Sequence, residues 1–598
     1  MGTVRETGIP PGPEAGGGIV QQEISAIKGR RFVGTRLQAA HIETDVLVLG
    51  GGMTGYRAAV SARASGASVV MAYRARGASP YVIGFNVPLG DADPRDNAQI
   101  YYDDVVRGGY ELSDRRLVRV LANRSIEAYE ELVRLGVPFA CADEGLTVSS
   151  LTGGSSVRRR ALQRHLSGNS YPRSVYIPEG TGNGIIGILN SHAREMGVEI
   201  VPGHKVVDLL RDGDEVVGAL LYKPHSHDLI AVRARSVVLA MGGIGRLYAD
   251  STYPVDVSGD ALGLAFEAGA CLIDMEFVQF EPVVTVWPAG CRGMEMPTAM
   301  LGDGAHLLNR LGERFMLAYN PPHAERLIEK ARLALCIQRE IDEGRGFPAG
   351  GVEFDTTLLA AEQLESYVSH CKRLRAAGLD PVTARPLVAP AAHSLMGGVA
   401  VDEQCWSGVP GLYVAGEAAG GVHGASRIAG NGGSDTLVFG GVAGEGAAAG
   451  MTAMRPRDWA EIEQQALARL ASRIERAAPG AGSLDDVREA IRCALSSAAG
   501  IWRNGESLAD GKRKLQALAA SLAHASADTL PDAIELIGVQ RMALVGQMIV
   551  EASLVRTESR GAHQRTDFPE SDDRNWLRHV SFRAGNDSAP LQEYTPVQ

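Results

Sequence analysis

Asp45 to Gly55 reads DVLVLGGGMTG, and what that stretch builds decides the fold. Val46, Leu47, Val48 and Leu49 form a short apolar run suited to a parallel strand buried on both faces. Gly50, Gly52 and Gly55 follow at once in the G-x-G-x-x-G spacing. The residues after them, Tyr56 to Ala67, are alanine-rich and helix-compatible, and Ser68 to Ala72 supplies a second apolar strand. Strand, glycine turn, helix and strand make a Rossmann-type unit. Gly50 permits the tight turn, Gly52 lets backbone approach a pyrophosphate, and Gly55 lets helix and strand close on one another, with amides of the helix N-terminus aimed at the anion. A dinucleotide site is expected there. The acid that would receive a ribose hydroxyl at the end of the second strand is missing, because Tyr73 and Arg74 occupy the place; ribose recognition is expected to be handled differently.

Outward from this unit, Ser113 to Leu135 and Ile185 to Ala193 have helical period. VVDLL, VVGALL and SVVLAM, between Val201 and Ala240, read as strands of a small antiparallel layer that returns to the main sheet. The return ends in Gly242, Gly243 and Gly245, a second place where backbone can come close to a cofactor. Far along the chain, Leu412 to Ala415 is a compact strand, followed by a glycine-rich turn and a helix beginning within Ser434 to Ala443. A sheet whose first strand lies near residue 46 and whose last lies near 412 encloses an insertion. This predicts an α/β fold with a Rossmann-type dinucleotide domain in two segments and an inserted cap. Beyond Met454 helical stretches take over, at Asp458 to Ala477, Leu484 to Ala498 and Gly511 to Ser526, and predict a helical C-terminal domain.

Bulk properties narrow the function. A chain of 598 residues exceeds one ordinary core, and 72 glycines imply many tight turns and close approaches. A net charge of -11 argues against a nucleic-acid partner. Arg158, Arg159 and Arg160 form the one basic cluster and read as a solvated helix face. Seven cysteines without metal-ligand spacing read as reduced residues of a cytoplasmic protein, and no metal site is expected. Residues 1–40 read as an N-terminal arm without a secretory pattern, and no apolar run approaches the length of a membrane span.

The motifs together resemble the flavoprotein family of succinate dehydrogenase, fumarate reductase and L-aspartate oxidase. The likeness rests on DVLVLGGGMTG, GGIGRLY at 242–248, LLNRLGERFM at 307–316, HSLMGG at 393–398, GLYVAGE at 411–417, GVHGASRIAGN at 421–431 and RTESRGAHQRTDFPESDD at 556–573, in family order. It implies FAD as cofactor and the division 41–280 and 388–447 for the two FAD-binding segments, 281–387 for an α+β capping domain, and 448–598 for the helical C-terminal domain and tail. It makes Glu417 a candidate contact to the flavin's ribose, beside Gly50, Gly52, Gly55, Gly242 and Gly243. The family's covalent flavin link uses a histidine, and ARGASPYVIG at 75–84 has none, so noncovalent FAD is implied.

For the substrate, the resemblance makes His393 a substrate-binding histidine and Arg427 the arginine that grips a carboxylate. A fork of permanent positive charge suits that task. Each also has a plainer reading, His393 as a turn cap and Arg427 as the partner of an internal acid. Two family groups are replaced: a histidine by Glu281, in QFEPV, and the arginine of a proton shuttle by Leu301. Glu281 either manages a proton or attracts an ammonium group, or it simply pairs with a cap arginine such as Arg292. Glu281, His393 and Arg427 are the candidate catalytic residues. The expected activity is FAD-dependent hydride transfer with a small organic acid or amino acid. The alternatives are a catalytic subunit of a larger electron-transfer complex and a flavin-binding assembly protein without turnover. A homo-oligomer or an electron-transfer partner is compatible with either.

Overall fold

Val46 to Leu49 have no exposed surface, as a strand flanked on both sides and covered on both faces must. A computed structural model describes residues 37–149, 155–326, 328–451, 456–475, 483–585 and 590–597; most of the expected arm, residues 1–36, lies outside them. The strand β1, Ala40–Leu49, pairs in parallel with β2, Val69–Tyr73, on one side and with Asp228–Leu239 on the other. Glu199–Pro202 adds a further parallel strand beside β2. On the far side Asp228–Leu239 is used twice. Its first half pairs antiparallel with Glu215–Lys223, which pairs with Lys205–Asp212, and its last residues pair in parallel with Leu412–Val414. The antiparallel layer and the late return strand are thus where the apolar runs placed them.

At the end of β1 the chain turns through Gly50 at φ 136°, where an added Cβ would stand 2.1 Å from the carbonyl oxygen of Ala240. Only glycine fits there. Helix α1, Met53–Ala64, begins immediately, and its residues Met53 to Ala62 are all buried. The helix Asn431–Ala449 closes over it through glycine: a Cβ on Gly444 would lie 2.2 Å from the Ala58 carbonyl oxygen. The second segment of the domain is thereby locked to the first across nearly 400 residues of sequence, a separation that only an insertion can account for.

That insertion carries a four-stranded antiparallel sheet in the order Val278–Trp287, Leu387–Leu395, Val352–Asp355, His306–Leu308. Its own core gathers Val283, Met300, Leu307, Ile337 and Phe354, apart from the two cores that sandwich the main sheet. Leu301 belongs to this cap core at 3% exposure.

Helices Trp459–Glu475, Leu484–Ala498, Gly505–Ala523 and Leu530–Val555 form the C-terminal bundle, and a hairpin of Arg578–Ala584 and Pro590–Pro596 joins it to the strand Leu272–Ile273. Leu530–Val555 corrects the expectation that no apolar run reaches spanning length: its 26 residues pass by length and composition, yet 72% of its most apolar window is buried inside the protein. Its apolar character follows from the bundle and the main sheet packing over most of its surface. The arginine cluster is also corrected. Residues 158–160 lie on a strand, Ser155–Ala161, with Arg159 and Arg160 exposed, and not on a helix.

Candidate functional site

The strand Val278–Trp287 carries Glu281, and its neighbour Leu387–Leu395 carries His393, so the cap's first and last strands bring these side chains to the edge of the FAD-binding half. Glu281 is 1% exposed. A buried carboxylate needs a partner, and it finds one in Lys330, whose Nζ lies 2.6 Å from Glu281 Oε2. Arg292, the expected cap partner, instead pairs with Asp250 at 2.8 Å. Lys330 is the first residue of the cap helix Lys330–Asp342, which packs on the strand of Glu281. Leu301, at the position where the resemblance places the shuttle arginine, is cap core, and the cation beside Glu281 comes from a different helix.

Beside this pair, the Nδ1 of His393 lies 3.0 Å from Thr252 Oγ1 and 3.3 Å from Glu295 Oε1. Its Nε2 has no hydrogen-bond partner among the described residues. Burial raises Glu295, but His393, Lys330 and Arg427 outweigh it and bring it down to about 2. The 44% of its side chain that is exposed marks it as the open rim of the group. Ligand atoms of Glu281, Glu295 and His393 lie within 4.8 Å of one another, and Glu281 is in contact with the Lys330 ammonium.

Arg427 follows the glycine turn before the helix Asn431–Ala449, with its guanidinium over the first turn, 3.5 Å from where a Cβ on Gly432 would be. Among the described residues it makes no ion pair, and its buried Nε has no hydrogen-bond partner. Burial holds it below its ordinary value while Glu417, Glu281 and Glu295 act the other way. Among the described residues His393 makes its contacts to Thr252 and Glu295 and caps no turn, and Arg427 has no acid in salt-bridge contact.

The glycine turns on the Rossmann side form a cradle with the properties a dinucleotide needs. Gly52 is the N-cap of α1 and contributes no capping side chain, and a Cβ on it would meet Ser79 Oγ at 2.6 Å. Ser79 Oγ accepts from the Met53 amide at 3.0 Å, placing a hydroxyl at the helix end where a phosphate would be received. Gly430 likewise leaves the helix Asn431–Ala449 without a side-chain cap. Gly242 adopts φ 79°, and a Cβ on Gly243 would lie 2.8 Å from the Glu417 carboxyl. Glu417 Oε1 accepts from the Leu395 amide at 3.0 Å, and burial pushes the acid up to about 7. Two open helix ends and a floor of glycine fit FAD. At Tyr73 the hydroxyl lies 3.1 Å from that of Tyr56.

Fold and cleft together define a flavoprotein oxidoreductase with a capped substrate site. Comparison with known proteins agrees. Residues 45–432 match an FAD binding domain family and residues 488–598 a family described as fumarate reductase flavoprotein C-term. The chain is 31% identical to one of the subunits of the fumarate reductase (CoM/CoB) of Methanothermobacter marburgensis, over 90% of this chain and 96% of that protein. It is 31% identical to L-aspartate oxidase of Streptomyces coelicolor, over 91% and 92% of the two chains. Among solved structures, E. coli quinol fumarate reductase FrdA matches with a TM-score of 0.83 and 26% identity, covering 93% of this chain and 97% of that one. Mycobacterium smegmatis Sdh1 matches with a TM-score of 0.81 and 30% identity, covering 94% and 95%. The chain belongs to the fumarate reductase and succinate dehydrogenase flavoprotein family, and it is an FAD-dependent oxidoreductase.

Sequence reasoning missed Lys330, Glu295 and Thr252. The lysine stands 49 residues from Glu281, with no spacing signal to join them. The one available hint was chemical: a glutamate on a buried strand demands a cation.

Proposed function

We propose that this flavoprotein transfers hydride between FAD and a small substrate carrying a carboxylate, an organic acid or an amino acid, in the cleft between cap and Rossmann half. The observation that carries the reading is Arg427, a guanidinium without a protein ion-pair partner among the described residues, beside the Lys330–Glu281 and His393–Glu295 contacts. When bound, FAD supplies a ring that accepts or donates a hydride. Arg427 grips the carboxylate through its fork of donors and fixes the reacting carbon. Thr252 and Glu295 hold His393 by Nδ1, which leaves Nε2 to bind substrate. Lys330 holds a proton at Nζ, and Glu281 at 2.6 Å can receive or return it. In alkene reduction the proton leaves Lys330 for the carbon next to the one that takes the hydride; in oxidation it travels the other way. Gly50, Gly52, Gly55, Gly242, Gly243 and Glu417 form the cofactor cradle.

The absence of a histidine in residues 75–84 supports noncovalent attachment, and the reduced cysteines support a cytoplasmic location. The separate cap core supports the boundary set 281–387 for the inserted domain. Relatives named as subunits favour an electron-transfer partner for this chain as well, with a homo-oligomer as the simpler assembly.

The test is an anaerobic panel of mono- and dicarboxylates, amino acids and amines against the yellow holoenzyme in both redox states. At least one carboxylate is expected to reduce the oxidised flavin or reoxidise the reduced one with saturation, and acid precipitation is expected to release all flavin into the supernatant. Redox exchange with amines alone would overturn the carboxylate reading.

A further inference from the structure

Between the helices Ala98–Gly108 and Arg115–Arg134, Tyr110 and Glu111 both adopt the left-handed region, at φ 55° and 65°. Two successive non-glycine residues there are costly, and such strain persists only where the surroundings impose it. The surroundings of Tyr110 come from three parts of the molecule. Its carbonyl oxygen accepts from Arg560 Nη1 of the C-terminal segment at 3.1 Å, and Arg560 is itself held by Glu558 at 2.9 Å. Its ring packs against Leu112, Phe277, Met396 and Ala425. Its hydroxyl donates to Glu329 Oε2 of the cap at 3.0 Å.

Glu329 is the N-cap of the helix whose first residue is Lys330, yet its side chain makes no capping bond to that helix. It is turned to Tyr110 instead. The next residue then places its ammonium 2.6 Å from Glu281. A strained residue of the FAD-binding half, pinned by the C-terminal domain, thus holds the residue adjacent to the cap's cation.

We propose that Tyr110 is a positioning residue: by holding Glu329 it fixes the first turn of the cap helix, so that Lys330 meets Glu281. This rests on the proposed role of Lys330, and the experiment separates the two. Hydrogen exchange on the FAD-loaded full chain reads the helix directly, whatever the substrate proves to be. In Tyr110→Phe, amides of the first turn of Lys330–Asp342 are expected to exchange about tenfold faster, while those of α1 stay as in the parent. With fumarate as probe and a reduced viologen as electron source, kcat is expected to fall about tenfold with KM changed less than about twofold. Glu329→Gln keeps an acceptor and is expected to behave as the parent. Glu329→Ala is expected to match Tyr110→Phe, and the double variant to lose nothing more. Unchanged exchange in Tyr110→Phe, or parent behaviour in Glu329→Ala, overturns the positioning role. A parent inert to every carboxylate with faster exchange in Tyr110→Phe would overturn the proposed substrate class and leave the latch standing.

Discussion

Arg556 and Arg427 are both arginines set deep among carboxylates, and they differ in what they touch. Arg556 is fully buried, ion-pairs with Glu276 and with Glu558 at 3.1 Å, and donates to the carbonyl oxygens of Trp576 at 3.0 Å and Arg578 at 2.9 Å. Around it Arg560 shares Glu558, and His579 meets Asp274 at 2.6 Å. Arg427 has none of this. The charged stretch at residues 560–573 returns into the molecule as structural glue, whereas Arg427 in the cleft has no ion-pair partner among the described residues. Protein partners mark a charge that holds the fold together; the proposed function reads their absence at Arg427 as a charge kept for a ligand.

The comparison breaks most visibly at the saturated end. Replacing Arg556 with methionine strands the buried Glu276 without its cation while Glu558 keeps Arg560, and stability is expected to fall by about 3–5 kcal/mol, read as a lower denaturant midpoint. Turnover per bound flavin in the surviving folded protein should stay near the parent value. A variant as stable as the parent would show that the C-terminal cluster is not the lock described.

A smaller effect sharpens the contrast at the other end. Burial pushes Glu417 from 4.5 up to about 7, although Arg427 acts to lower it. The folded protein therefore holds this proton more tightly than the unfolded chain. Its stabilising contribution is complete below about 4.5 and is lost as pH rises through about 7. Glu417→Gln cannot titrate, so calorimetry of the apoprotein is expected to show a shallower fall in Tm between these values than in the parent. Equal slopes would contradict the raised value.

The Rossmann unit was legible because its glycines leave no alternative: Gly50 faces the Ala240 carbonyl with no room for a Cβ. The second cofactor segment and the C-terminal helices were legible from apolar period. Leu530–Val555 was passed over because a helix packed over most of its surface loses the amphipathic stripe that reveals one. The candidates Glu281, His393 and Arg427 were legible as residues, but the side chains that surround them were not. Lys330 sits on a cap helix whose facing direction depends on cap packing, and no motif encodes that. Tyr110 carries no signal at all, because a left-handed tyrosine is imposed by its neighbours and not by its own type.

The central claim is that Arg427 is the carboxylate's anchor, and the direct measurement is the Kd of that ligand in oxidised holoenzyme, followed by flavin absorbance with the best acid of the panel. Arg427→Ala is expected to weaken binding by about a hundredfold or more, the loss of a charge-assisted fork, with FAD content and Tm close to the parent's. An unchanged Kd in a correctly folded, flavin-loaded variant would contradict the account.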